Sequence, residues 1–224
     1  MKTRDRILEV SLHLFNVEGE AHTTTIDIAN EMGISPGNLY YHFKGKDQII
    51  DELFQQYELA LGSTLSAPIE RPLDADKGQV EDNWYYLYVV LEEMYQYRFL
   101  YCNLDDILQR YPDIQKGFKR LIQLKRAALF AICQNLMQRA IIDARDQQLL
   151  GLVDNMTLTL TFWFNYEQLL HEGRPPEVTI HQGVLQLLTM VAPYLGNEEL
   201  SFYRDCEDIY TKLLTEYEPE HTSS

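Results

Sequence analysis

The 224-residue sequence is poor in cysteine, glycine and basic charge, and each shortage removes a class of protein. Its three cysteines, Cys102, Cys133 and Cys206, are an odd number, and none sits in a CxxC pair. A disulfide framework or a zinc site asks for more. They read as small buried hydrophobes of a reducing compartment. Eleven glycines, few alternating apolar runs and few hairpin dipeptides leave little from which to build a sheet. No apolar run reaches bilayer length; the best candidate, LVDNMTLTLTFWF, is broken by Asp154 and Asn155. The opening MKTRDRILEVSLHLF is basic and then apolar, but Glu9 and His13 interrupt it and no small-residue cleavage site follows. A cytoplasmic protein without a membrane partner is therefore expected.

Catalytic signatures are also missing. The six histidines are scattered, and none pairs with cysteine or carboxylate at ligand spacing. There is no GxSxG, P-loop or dinucleotide fingerprint. His171-Glu172, at a helix end, reads as charge on a terminus rather than a dyad. No enzyme, metal or cofactor is expected. Basic residues number 19 against 34 acidic, a net of -15, and the deficit is uneven. Residues 1–50 carry only -2, and the remaining 174 carry -13. Such a chain does not coat nucleic acid, but its near-neutral head can still dock locally.

What is present is helical periodicity almost throughout. Ile7, Leu8, Leu12, Leu14 and Phe15 share roughly one face of a first helix, which Gly19 stops. Thr24 and Asp27 form a capping box opening a short helix, IDIANEM, closed at Gly33. Ser35 caps the next helix with Pro36 at its first position, and Gly45 breaks it after Phe43. Two short helices joined by a glycine-containing turn are a helix-turn-helix signature, with Ile28, Ala29, Ile34, Leu39 and Phe43 as its core. A fourth helix begins at KDQIIDELF, residues 62–80 read as a loop, and further helices are expected at about 80–101, 103–110, 112–140, 146–171, 180–195 and 198–217. The fold class is all-α, with domains at 1–50 and 51–224.

Ile7-Leu8, Phe15, Gly19, Thr24-Thr25, Ile28-Ala29, Gly33-Ile34-Ser35, Gly37, Leu39-Tyr40, His42-Phe43 and Lys46 together resemble the DNA-binding head of the tetracycline-repressor (TetR) family of bacterial regulators. The spacing holds without a gap over roughly the first fifty residues; Ser11 and Asn38 depart from the family's usual choices. The resemblance implies an all-α homodimer. Each subunit would carry an N-terminal three-helix helix-turn-helix head and a C-terminal helical bundle for dimerisation and effector binding. Repression is the dominant mode in the family.

In a helix-turn-helix the second helix enters the major groove by its N-terminal end. Here that end is Ser35-Pro36-Gly37-Asn38, whose short side chains permit close approach. Asn38 can pair two-point with adenine, and Tyr41, three residues on, can meet a thymine methyl or a phosphate. Tyr40 and His42 are expected to position the DNA backbone. Lys46, at a helix start, and the Thr24-Thr25 pair are expected to hold phosphates. Lys44, Lys2, Arg4 and Arg6 flank the same strand. The plainer readings are capping for Thr24 and Ser35, core filling for Tyr40, and a solvated face for Lys2, Arg4 and Arg6.

The second unusual stretch is WYYLYVVLEEMYQYRFLY, residues 84–101, apolar most of the way round a helix. Core filling explains most of these aromatics, yet buried tyrosine hydroxyls need partners. A pocket bordered by Trp84, Tyr88, Tyr95, Phe130 and Trp163, taking a hydrophobic or amphipathic small-molecule effector, is expected. Residues 151–170, with small Gly151, Thr157, Thr159 and Thr161, and residues 181–195, with Leu185, Leu188, Ala192 and Leu195, are the candidate dimer helices. A two-fold dimer predicts an inverted-repeat operator of double-stranded DNA, its half-sites roughly 34–36 Å apart or a little more. The alternative is a helical ligand-binding or protein-interaction module that keeps the helix-turn-helix shape without reading DNA.

Overall fold

The computed structural model describes residues 2–70, 80–171 and 173–217, apart from the side chains of 80–82, 197–199, 201, 202 and 213–217. Every named element is helical: α1 Thr3–Glu18, α2 Thr25–Glu31, α3 Pro36–His42, α4 Lys46–Glu70, α5 Val80–Gln96, α6 Phe99–Cys102, α7 Leu104–Arg110, α8 Pro112–Gln138, α9 Asp146–Leu170, α10 Pro176–Val191 and α11 Asn197–Tyr217. A 3-10 turn, Ala192–Tyr194, follows α10. Extended pairing among the described residues is limited to an isolated bridge, Ile142 to Leu195. No described helix is long and apolar enough to cross a membrane.

The chain divides into two compact units, Met1–Ala60 with Tyr97–Phe118, and Leu61–Gln96 with Lys119–Ser224. In the first, α1 packs on α2 and α2 on α3. Ile7, Phe15, Ile28, Ala29, Leu39 and Phe43 are essentially inaccessible, and Ile34 is half-buried. Full burial of Ile7, Phe15, Ile28, Leu39 and Phe43 contributes about 1.5–3 kcal/mol each. The segment α6–α7 completes this unit. The Phe99 ring lies 5.4 Å from that of Phe15, and the Phe99 N–H donates to Asn16 Oδ1 at 3.1 Å. The hydroxyls of Tyr57 and Tyr101 hydrogen-bond to each other.

In the second unit α10 packs against α5, α9 and α11. Gly183 makes that packing possible. A Cβ there would stand 2.6 Å from the Trp163 Nε1 and 3.1 Å from Leu91. The Trp163 indole N–H is thereby free to donate to the Thr179 carbonyl at 2.9 Å.

Three elements differ from the sequence expectation. The region read as a loop from residue 62 is helical to Glu70, because Leu61 and Leu65 continue the buried stripe of Tyr57; residues 71–79 of that expected loop lie outside the described residues. The expected helix 80–101 stops at Gln96 and restarts at Phe99, where Asn16 takes over the Phe99 N–H. The helix expected from 180 begins at Pro176, a proline well placed in a first turn.

Candidate nucleic-acid interface and interior cavity

The two motif helices are capped as their residues dictate. The Asp27 N–H donates to Thr24 Oγ1 at 3.2 Å, and Asp27 Oδ2 accepts from the Thr24 N–H at 2.8 Å and hydroxyl at 2.6 Å. The hydroxyl and backbone bonds from Thr24 hold the Asp27 carboxyl below its ordinary range. Gly33 turns the chain at φ +65°, a conformation costly for side-chain-bearing residues. Ser35 Oγ then accepts the Asn38 N–H at 3.3 Å, with Pro36 in the first turn. These caps set the angle at which α3 leaves α2.

The outer end of α3 is bare. Ser35, Pro36, Gly37 and Asn38 are all exposed, and Tyr41 is 85% accessible. The Tyr41 ring meets half-buried His42 edge-on at 5.1 Å. The Lys44 side chain is exposed, and its N–H donates to Gln48 Oε1 at 2.9 Å. Asn38, Tyr41 and Lys44 therefore present on a scaffold fixed by Leu39 and Phe43.

Other expected contact residues are engaged within the protein. The hydroxyls of Thr25 and Tyr40 meet at 3.0 Å, tying α2 to α3. Lys46 Nζ donates to the carbonyls of Glu20 at 2.8 Å and Thr23 at 3.1 Å, and pairs with Glu20 Oε1 at 2.9 Å. Its three hydrogens thus have three oxygens. Arg4 lies 4.7 Å over the Phe43 ring and pairs with Glu52.

Glu20 was not singled out by any sequence signal, yet it is the hub of this unit. It is 1% exposed. Besides Lys46 it accepts from Arg110 at 3.1 and 3.2 Å and from the Tyr111 hydroxyl at 3.2 Å. The Tyr111 hydroxyl also lies 3.2 Å from Asp47 Oδ1. Burial beside Glu20 and Asp47 raises the Tyr111 pKa. A charge-paired carboxylate buried at a junction of three segments fixes their geometry.

In the second unit four of the five aromatics expected to border a pocket have ring or hydrogen-bond neighbours, and Trp84 and Tyr88 are linked through Tyr210 and His181. Trp84 donates to the Tyr210 hydroxyl. The Tyr88 ring lies 5.2 Å from His181, which in turn lies 5.3 Å from Tyr210. Tyr95 meets Phe164 edge-on at 5.6 Å. Trp163 stacks on Tyr166 at 6.0 Å, and Phe130 is half-buried on α8. A cavity of about 50 Å³ lies among Asn83, Leu87, Leu129, Ile132, Cys133, Leu136, Met156, Leu188, Val191, Leu195 and Tyr203. Leu129, Cys133 and Leu136 stand at helical spacing, a pattern that marks a core face without distinguishing a hollow one. Burial pushes the Cys133 thiol up to about 12. No group of residues with metal-ligand character occurs among the described residues; of the pair His171-Glu172, Glu172 lies outside them.

The sequence matches known family patterns over most of its length. Residues 7–53 match the family described as bacterial regulatory proteins, tetR family, and residues 56–209 match the one described as bacterial transcriptional repressor. The chain belongs to the tetR family. A TetR-family transcriptional regulator from Marinobacter aquaeolei VT8 is 32% identical, with a TM-score of 0.78 over 95% of this chain and 98% of that one. Among curated relatives, the repressor KstR2 of Mycolicibacterium smegmatis is 37% identical over 76 residues, and the regulator AcrR of Shigella flexneri 36% over 61. Those matches take in 30% and 27% of this chain, and 37% and 28% of the relatives' lengths. The structure of KstR2 from Mycobacterium tuberculosis, 17% identical, shares the fold with a TM-score of 0.63 over 88% of this chain and 96% of that one. Within the tetR-family head, Asn38, Tyr41 and Lys44 face outward, while Thr24, Thr25, Tyr40 and Lys46 brace it.

Proposed function

We propose that this tetR-family protein is a cytoplasmic transcriptional regulator without enzymatic activity. It binds an inverted-repeat operator as a homodimer and releases or engages it in response to a small molecule, most simply as a repressor. Residues 1–50 read DNA; residues 51–224 dimerise and sense the effector. The observation that carries this reading is the bare N-terminal end of α3, with Asn38 and Tyr41 exposed over a core that fixes their direction. Asn38 reads a base edge, Tyr41 packs on a thymine methyl or phosphate, and Lys44 neutralises a phosphate. Ser35, Pro36 and Gly37 let the backbone come close, and His42 and the opening amides of α2 at Thr24-Thr25 and of α4 at Lys46 flank the phosphates. Family membership speaks against a module that kept this shape without DNA.

The dimer surface proposed is the outer stripe of α9. Leu158, Phe162, Tyr166 and Leu169 are 59, 46, 54 and 78% exposed at spacings of four, four and three. A contiguous apolar stripe of that kind asks for a partner, and a second copy meets it isologously. Phe162→Glu is expected to yield monomers in sedimentation; an unchanged dimer would move the interface elsewhere. Trp84, Tyr88, Tyr95, Phe130 and Trp163 are the residues proposed to border the sensing site, a reading supported by the Trp84–Tyr210–His181–Tyr88 cluster.

Selection from a random duplex library tests the DNA reading, with Asn38→Ala, Tyr41→Ala as the control. An enriched inverted repeat absent from the control is the expected result. Folded dimer that enriches nothing, with or without effector, overturns it.

A further inference from the structure

We propose that Glu20 limits how tightly the head grips DNA without touching it: its buried carboxylate takes the Lys46 ammonium that a phosphate would otherwise take. The proposal rests on the DNA reading above and adds the residue that sets its strength.

Lys46 stands where an anion is expected. It is the first residue of α4, a helix of 25 residues, and the first amides of a helix have no partner within it. Amide dipoles and a lysine together draw a phosphate to such a place. The lysine is nevertheless turned inward. Its Nζ donates to the carbonyls of Glu20 at 2.8 Å and Thr23 at 3.1 Å, and lies 2.9 Å from Glu20 Oε1. The two carbonyls occupy its hydrogens but leave its charge. The carboxylate cancels the charge, and an ammonium already neutralised displaces no counterion from DNA. The Lys46 side chain is still 22% exposed, so the pairing, rather than depth, withholds it.

Glu20 is itself 1% exposed and firmly held. Arg110 Nη1 donates to its two oxygens at 3.2 and 3.1 Å, and the Tyr111 hydroxyl donates to Oε1 at 3.2 Å. Arg110 also pairs with Asp106, and the Tyr111 hydroxyl meets Asp47 Oδ1 at 3.2 Å. Two cations, Lys46 and Arg110, thus face three carboxylates, and the cluster has no positive surplus to offer DNA. An apolar side chain of similar volume braces a buried junction as well as an ion pair does, and often better. A carboxylate here therefore does something that packing does not: it removes a positive charge from the start of α4. Arg4 repeats the device, paired with Glu52. Lys44 stays exposed beside α3, and Asn38 and Tyr41 carry a correspondingly larger share of binding.

Binding of the full chain to its selected operator and to a scrambled duplex of the same length, over a salt series, tests this. Glu20→Gln keeps the shape and an acceptor oxygen and removes the charge. It should tighten binding to both duplexes several-fold at low salt and steepen the slope of log K against log salt by about 0.9 per head. Adding Lys46→Met should cancel both changes. Arg110→Gln leaves the Glu20 charge less compensated and should weaken binding to both duplexes. A merely bracing Glu20 predicts instead that Glu20→Gln and Arg110→Gln weaken binding alike with the slope unchanged, and that result overturns the proposal. Because these variants can fail to fold, acetylation of the natural chain by trace acetic anhydride gives a second reading, with Lys44 as internal reference. Lys46 should react slowly with or without DNA, whereas DNA should protect Lys44. Fast acetylation of Lys46 in the free protein, blocked by DNA, overturns the proposal as well. Protein that selects no duplex strikes the DNA reading, and fast acetylation of its Lys46 separately strikes the pairing with Glu20.

Discussion

In the first unit the buried carboxylate of Glu20 meets Lys46, Arg110 and Tyr111, whereas in the second the buried Tyr86 hydroxyl, Glu93 Oε2, Thr161 Oγ1, His181 Nδ1 and Gln182 Oε1 have no hydrogen-bond partner among the described residues. Ser11 Oγ is the corresponding orphan of the first unit. An orphaned buried polar atom costs about 1–3 kcal/mol. A unit that leaves several is less tightly determined than one that closes its network. The contrast fits their proposed tasks. A DNA-reading surface must be held to one geometry, while a sensor needs capacity that a ligand, water or a shifted helix can take up.

The strongest way to break the contrast is to remove the hub. Glu20→Ala takes the carboxylate from Lys46, which keeps two backbone carbonyls, and from Arg110, which keeps Asp106; because both cations are partly exposed, the loss should fall at the low end of the cost of breaking a buried charge network, about 3 kcal/mol. The midpoint of urea denaturation should fall accordingly, with the slope unchanged. A loss below about 1 kcal/mol would mean that the first unit is not held by its polar network.

The second unit has its own buried charge to test. Lys125 is inaccessible, and burial lowers its pKa to about 7, against about 10.4 in an unfolded chain. Between those values the unfolded state binds more protons, so stability rises with pH from about 7 to about 10, by up to ~1.4 kcal/mol per pH unit. Below about pH 7 the penalty is complete and constant. Lys125→Met should flatten this profile and stabilise the protein at neutral pH. A profile with the same slope in both proteins would assign it to other groups.

A third comparison separates reading from bracing inside the first unit. Asn38→Ala should cost about 1–3 kcal/mol of operator binding at one base position, with the salt slope intact. Lys44→Ala should weaken all sequences alike and reduce the slope by about 0.9 per site. Lys46→Ala should lower the stability of the head and leave that slope alone, because its ammonium is already satisfied by Glu20 and Thr23. A reduced slope in Lys46→Ala would return it to the set of phosphate contacts.

The head was legible because its signals are local. Thr24-x-x-Asp27, Gly33 and Ser35-Pro36 each fix a helix end within four residues, and the caps form as the spacing requires. Glu20 was not legible. Its partners lie 26, 90 and 91 residues away, and nothing in the local pattern distinguishes it from solvent-facing Glu18. The break after Gln96 was hidden for the same reason, since Asn16 lies 83 residues from Phe99. In the aromatic stretch the aliphatic Leu87, Val90, Leu91 and Met94, with Phe99 and Tyr101, are buried, while Trp84, Tyr88 and Tyr95 are half-buried and Tyr85 is exposed. The pattern could not say which buried face borders a cavity. That depends on residual volume among five helices, which periodicity does not encode.

The smallest expected effects come from two glycines, one in each unit, both with open space around the position a Cβ would take. Gly33 sits at φ +65° in the turn between α2 and α3, and Gly62 lies within α4. Sterics with neighbours cannot distinguish them, so backbone conformation alone sets the sign. Gly33→Ala forces a left-handed alanine and should destabilise by about 1 kcal/mol. Gly62→Ala removes a flexible residue from a helix and should stabilise by about 0.5–1 kcal/mol. Both are read from the same denaturation midpoint. A stabilising Gly33→Ala would mean that the turn relaxes out of the left-handed region, and the angle between α2 and α3 would then be softer than their caps imply. A destabilising Gly62→Ala would mean that α4 is not evenly helical through the stretch first read as loop.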